Sequence, residues 1–167
     1  MKKLSLLLVV LLLGAVLIGC SQPAGDTPDD TPDDTPAAEP AWSITIEGVA
    51  DEPITFTDLD AAKLTQKEVE AVKKKKDGTE ITENWQGVPL KEVLAAVGAA
   101  DYQSVIVEAG DGYSQEYTLE IINREETILG FVRDGEKLDE ADGPVQMVPA
   151  GESGSMYIKN LAKIIVQ

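Results

Sequence analysis

From Trp42 onward apolar and polar residues alternate. Trp42, Ile44 and Ile46 fall on one side, Ser43, Thr45 and Glu47 on the other, and Gly48 closes the run. A period of two with one apolar side predicts a strand buried on one face. Ile54 to Phe56 predicts a second short strand, and Thr57-Asp58-Leu59-Asp60 has the composition of a capped helix start. The next segment supports two readings. Thr65-Gln66-Lys67-Glu68 resembles a capping box ahead of a helix over Val69 to Lys76, whereas Asp77-Gly78 followed by Thr79, Ile81 and Thr82 favours a hairpin. The hairpin is preferred, with the lysines Lys73 to Lys76 on a solvated edge that discourages pairing with other chains. Pro89 to Val97 predicts a helix with Leu90, Val93, Leu94 and Val97 on one face and Gly98 ending it. Beyond it the pattern predicts a strand over Gln103 to Ala109, a turn at Asp111-Gly112-Tyr113, extended chain from Tyr117 to Ile121, a strand over Thr127 to Arg133 and a turn at Asp134-Gly135. Pro144 to Val148 reads as extended, Gly151 to Ser155 as a loop, Tyr157 to Leu161 as a helical turn, and Lys163 to Val166 as a last strand. Many short strands with two modest helices predict an α+β domain dominated by sheet.

A different pattern precedes this domain. Lys2 and Lys3 lead into an apolar run from Leu4 to Ile18 that ends in Leu17-Ile18-Gly19-Cys20. The run has the length of a secretory signal core and is short for a membrane span. These residues resemble a bacterial lipoprotein signal, and the resemblance implies cleavage before Cys20 and lipid on its sulfur and amine. The expected organisation is a signal peptide over 1–19, a lipid anchor and acidic tether over 20–41, and the domain over 42–167. Asp-Thr-Pro recurs at Asp26, Asp30 and Asp34, with further acids at Asp29, Asp33 and Glu39. Such a stretch cannot bury a core, and its prolines and like charges favour an extended spacer of roughly 60 Å. The expected location is extracytoplasmic, with the membrane as a partner through the N-terminal lipid.

Composition narrows the function. The chain of 167 residues carries a formal charge of −16 and no histidine. A field of that sign repels nucleic acid, and it makes attachment to an anionic membrane depend on lipid rather than on a basic patch. Without histidine the chain lacks the commonest general base near neutral pH and the commonest metal ligand. Cys20 is its one cysteine, so a thiolate is absent from the whole domain. Ser153-Gly154-Ser155 therefore has no histidine to activate it as a nucleophile. Asp111, Asp134, Asp139 and Asp142 place carboxylates in loops; their spacing does not match a calcium-binding EF-hand loop, and turn chemistry accounts for the Asp-Gly pairs. No metal ligand and no catalytic residue is assigned.

A set of pieces, read in order, carries a family resemblance. Trp85-Gln86-Gly87-Val88-Pro89-Leu90 before a helix, Asp111-Gly112-Tyr113, Asp134 to Leu138, Gly143 to Pro149, and Ile158-Lys159-Asn160-Leu161 resemble the molybdopterin-binding oxidoreductase domain with the sulfite-oxidase fold. The resemblance implies a sheet-dominated α+β domain of sulfite-oxidase type and makes molybdopterin the cofactor to consider. Enzymes of that family ligate molybdenum through a cysteine thiolate, a soft donor suited to the metal. Its counterpart here would lie in or near the Val69 to Trp85 hairpin, which has no cysteine. Gln146 stands where the family commonly has arginine, and Asn160 where it commonly has tryptophan, while Lys159 matches. The resemblance thus implies Trp85, Asp111, Gly112, Tyr113, Gln146 and Lys159 as ligand-binding candidates, core packing being the stronger role for Trp85.

The expectation is a lipid-anchored binding or accessory module on this scaffold, with no cofactor expected and an unidentified small-molecule or protein partner. Two alternatives stay open: a molybdopterin-dependent oxidoreductase with a non-cysteine metal ligand, and a surface structural or adhesion module.

Overall fold

A computed structural model describes residues 39–167. The lipoprotein signal, Cys20 and the tether up to residue 38 lie outside the described residues. Among the described residues, ten strands form two sheets. The first contains β1 (Ser43–Glu47), β2 (Ile54–Thr57), β5 (Ser104–Ala109), β6 (Ser114–Thr118) and β10 (Leu161–Val166), in the order β2-β1-β10-β5-β6. Its centre is a parallel pair, β1 with β10, which ties the start of the domain to its end through Ile46 opposite Ile164. The second sheet runs β3 (Lys67–Lys74), β4 (Glu80–Pro89), β7 (Thr127–Arg133), and the other edge of β7 is divided between β8 (Glu136–Lys137) and β9 (Gln146–Pro149).

Residue alternation explains why there are two apolar clusters. Along β7, Leu129 faces the main core while Ile128 faces away, and along β9 Met147 and Val148 divide in the same manner. The main core lies where Ile44, Ile46, Val105, Val107, Tyr117 and Ile164 of the first sheet meet Val88, Leu129 and Met147 of the second. Helix α2 (Leu90–Ala96) adds Leu90, Val93 and Leu94 to it. The smaller cluster, on the far face of the second sheet, contains Val69, Ala71, Trp85, Ile128, Val148 and Tyr157. Burying the large apolar side chains of either cluster stabilises by about 1.5–3 kcal/mol each.

The hairpin reading of the ambiguous segment is the observed one: β3 pairs antiparallel with β4 from Lys67 opposite Gly87 to Lys74 opposite Glu80. Gly78 has φ 84°, in the left-handed region that a tight turn between strands requires. Thr57 caps α1 (Asp58–Ala61) with a reciprocal capping box, its hydroxyl accepting from the Asp60 backbone while the Asp60 carboxylate accepts from the Thr57 backbone. Two expectations need correction. The extended reading of Tyr117 to Ile121 fails at Leu119, where α3 (Leu119–Ile122) begins. A four-residue turn buries both Ile121 and Ile122, which a strand would send to opposite faces. The helical turn expected near Tyr157 to Leu161 lies earlier, as a 3-10 turn at Gly154–Met156. Tyr157 is extended, and Asn160 has φ 45°, which stops any helix there.

Candidate functional site

The far face of the second sheet carries a chain of alternating charges and rings. Asp142, in the loop before β9, has a side chain only 4% exposed, and its carboxylate accepts from Arg133 at the end of β7 and pairs with Lys159. Three local features position it. Asp139 Oδ1 accepts from the Asp142 backbone N at 2.8 Å, the Asp142 carbonyl accepts from Asn160 N at 2.7 Å, and Gly143 lets the chain pass close to Asn160. A Cβ on Gly143 would sit 2.6 Å from Asn160 Cα, and its φ of 73° already favours glycine. The Arg133 guanidinium lies over the Trp85 ring, 5.6 Å from its centroid. Trp85 Nε1 donates to Glu83 Oε2 at 3.2 Å, Glu83 pairs with Lys73 at 3.1 Å, and the Lys73 ammonium stands 5.2 Å from the Tyr157 ring.

The electrostatics follow from this order. Burial pushes the Asp142 carboxyl up, but hydrogen bonds from Lys159 and Arg133 outweigh it and hold the group below the usual carboxylate range. Burial likewise acts to lower the Arg133 pKa, and the Asp142 hydrogen bond reverses this, so the guanidinium stays charged. Burial raises the Tyr157 phenol, with the Glu83 and Glu152 charges adding to it, so that phenol stays protonated. Every cation in this chain of contacts already has an anion or a ring.

A second group of predicted residues lies across the 155–160 segment. Asp111 Oδ1 accepts from Tyr113 N at 3.0 Å, a side-chain turn that Gly112 completes at φ 86°. Tyr113, 46% exposed, donates through its hydroxyl to the Ser155 carbonyl at 2.9 Å. Gly110 N donates to the Asn160 carbonyl at 2.9 Å. Residues 155–160 thus join the Asp111 turn to the Asp142 cluster, and Lys159 and Tyr113 flank one segment.

Of the six ligand-binding candidates, Trp85 and Lys159 are linked through Arg133 and Asp142, and Asp111, Gly112 and Tyr113 form the neighbouring turn. Trp85 is 1% exposed, enclosed by its cluster and by Gly130, where a Cβ would approach its Cε3 to 2.6 Å. Gln146 is buried at the start of β9 opposite Gly130, and its Oε1 has no hydrogen-bond partner among the described residues. Asn160, at the position where the resemblance led us to expect tryptophan, adopts the left-handed conformation that asparagine tolerates better than a bulky side chain. Sequence reasoning missed Arg133, one of the chain's two arginines, and considered Asp142 only as a loop carboxylate. The available signal was the Asp139–Asp142 spacing, which matches the observed side-chain turn. Among the described residues no group of three or more acids or other ligand side chains is placed to hold a metal ion.

Residues 30–167 match the family described as the oxidoreductase molybdopterin binding domain, and the chain belongs to that family. A solved structure of the sulfane dehydrogenase SoxCD from Paracoccus pantotrophus is similar at 19% identity and a TM-score of 0.67, with 78% of this chain and 39% of that chain covered. This chain therefore spans about two fifths of the length of that solved chain, and the likeness establishes the sulfite-oxidase-type fold. No curated protein sequence matches.

The residues present do not fit a molybdenum-bound pterin. The cysteine thiolate that the family resemblance implies as metal ligand is missing, since residues 39–167 contain no cysteine. A pterin phosphate calls for converging, uncommitted donors. Arg133 and Lys159 converge, but on Asp142. Gln146 is a neutral amide and brings no positive charge to pair with a phosphate.

Proposed function

We propose that the chain is a lipid-anchored, extracytoplasmic binding or accessory module that keeps the sulfite-oxidase-type scaffold without its metal chemistry. The observation that carries this reading is the absence of a cysteine from residues 39–167, where Arg133 and Lys159 also close on an internal carboxylate. A fold outlasts the chemistry of its site, so function has to follow the residues present. Anchoring rests on the Leu17-Ile18-Gly19-Cys20 sequence, and the acidic tether would hold the domain away from the membrane surface.

Elemental analysis of the protein isolated from a host that makes molybdenum cofactor tests the reading. The expected content is well below one molybdenum per chain; a stoichiometric metal would establish the rival, an oxidoreductase with an unusual ligand. Anchoring is tested separately. Cys20→Ala should block lipid attachment and move the chain out of the membrane fraction, and a variant that partitions like its parent would end the lipoprotein proposal.

A further inference from the structure

Between α1, the residues leading into β1, and strands β7 and β8 lies a pocket of about 310 Å³. Its walls are mostly apolar, formed by Trp42, Ala61, Ala62, Phe131, Leu138 and Pro144. Trp42 and Phe131 pack on the main core and Leu138 on the smaller cluster, yet all three are only half-buried. Two opposite charges share this lining, Asp58 of α1 and Lys137 of β8. They do not pair with each other, and among the described residues neither forms any ion pair. The Asp142 cluster closes its charges on one another, whereas this pocket holds a carboxylate and an ammonium apart.

We propose that this pocket binds a small zwitterion with an apolar body, the chemical class of a free apolar α-amino acid. Asp58 supplies the acceptor for its ammonium. Asp58 Oδ1 accepts from Ala41 N at 3.0 Å, and Asp58 N donates to the Trp42 carbonyl at 3.3 Å, so the carboxylate and the tryptophan wall are fixed to each other. The other carboxylate oxygen has no partner among the described residues and is left to accept from a ligand. Lys137 supplies the cation for the ligand carboxylate, on a strand held by pairing with β7, Val132 opposite Lys137. Gln66 adds a donor. Its Oε1 accepts from Gln86 Nε2 at 3.1 Å, which leaves its own amide N–H groups for a carboxylate.

Each part of the ligand follows from a separate observation. An apolar lining with a few placed polar groups is the usual composition of a small-molecule site, and the volume falls at the lower end of that range. An apolar anion would satisfy Lys137 and meet repulsion from Asp58, and an apolar cation would do the reverse. A zwitterion satisfies both. It also carries no net charge, so the field of a chain with formal charge −16 does not repel it. Leaving Asp58 or Lys137 unanswered beside a bound apolar body costs more than one missing contact, because the ligand has displaced water from that charge. The same cost selects against a blocked amino acid, in which a neutral amide replaces the ammonium or the carboxylate.

This inference names a ligand class for the binding-module reading and stands on that reading, whereas molybdenum content decides the module question independently. The test is isothermal titration of the full chain with L-phenylalanine and L-leucine as probes. At least one should bind, and the N-acetyl and amide derivatives of the tighter probe, each lacking one charge, should bind at least about tenfold more weakly. Lys137→Gln should weaken binding by at least about tenfold while melting like the parent, because Lys137 makes no ion pair among the described residues. Asp58→Asn, which keeps an acceptor for Ala41 N, should lose a similar factor. Ala62→Leu places a larger side chain in the pocket at an exposed position with φ −65° and ψ −19°, and should abolish binding in a folded chain. Lys75→Gln, outside the pocket, should bind as the parent does. No binding of either probe by the parent, equal binding of the blocked derivatives, or equal binding by Lys137→Gln would overturn the proposal. So would self-association of the parent that Ala62→Leu abolishes, because the apolar walls would then serve a second copy of the chain.

Discussion

Asp142→Asn removes one charge and keeps the shape of the side chain, so its cost measures what the carboxylate does for Arg133 and Lys159. The two partners differ in exposure. Arg133 is 27% exposed and rests on Trp85, so its charged hydrogen bond belongs in the range of about 1.5–3 kcal/mol. Lys159 is 58% exposed, and solvent screening limits its share to about 0–1 kcal/mol. The asparagine oxygen recovers one neutral hydrogen bond of about 1 kcal/mol. The net loss is about 2 kcal/mol, or about 6–8 °C in Tm for a domain of this size. Thermal unfolding of the full chain followed by circular dichroism at pH 7 measures it. The pH dependence adds a sign. Because the folded-state pKa of Asp142 is depressed, its contribution is present above the unfolded value near about 3.9 and is lost as pH falls through the lower folded value. Parent and variant should therefore converge below pH of about 4. A variant melting within about 2 °C of the parent at pH 7, or a gap that widens in acid, would refute the account of the cluster.

Three further outcomes follow from other parts of the structure. Glu125 bridges Lys67 of β3 and Lys91 of α2, whose hydrogen bonds lower its pKa to about 2. Glu125→Gln should therefore reduce Tm above pH of about 4.3, and the difference from the parent should vanish as pH approaches about 2. Thr57→Ala removes the hydroxyl of the α1 capping box and should destabilise by about 0.5–2 kcal/mol in chemical denaturation. Gly87→Ala would bring a Cβ to 2.1 Å from the Leu129 carbonyl oxygen, between paired strands that cannot separate without losing their ladder. A loss of about 3 kcal/mol or more, or failure to accumulate as folded protein, is expected, and a parent-like melting curve would contradict the strand contact.

Elements with a strong periodic signal are legible in the order of residues alone. Thr127 to Arg133 reads as a strand and is one with those bounds, since a run of apolar and branched residues between turn signals allows little else. The Thr57 cap and the Asp77-Gly78 turn are legible for the same reason: each is set by two or three neighbouring residues. Leu119 to Ile122 is not, because a four-residue apolar segment satisfies strand and helix equally and only its burial partners choose. The candidate site is legible in part. Lys159 and Trp85 can be named from their motifs, but the carboxylate that joins them through Arg133 cannot. Asp142 and Arg133 are nine residues apart, and nothing local requires them to meet.

Local pattern alone determined that this domain would be a sheet-rich α+β fold with no thiol and no imidazole, because strand periodicity, turn residues and absent side chains are properties of the chain read in order. Tertiary structure alone decided which charges remain available. Lys73, Lys74, Lys75 and Lys76 are indistinguishable as a string of four. Folding turns Lys73 toward Glu83 and Tyr157 and leaves the other three at an opening beside two serines about eighty residues away. An ion pair depends on distance in space, and only the packed sheets set that distance.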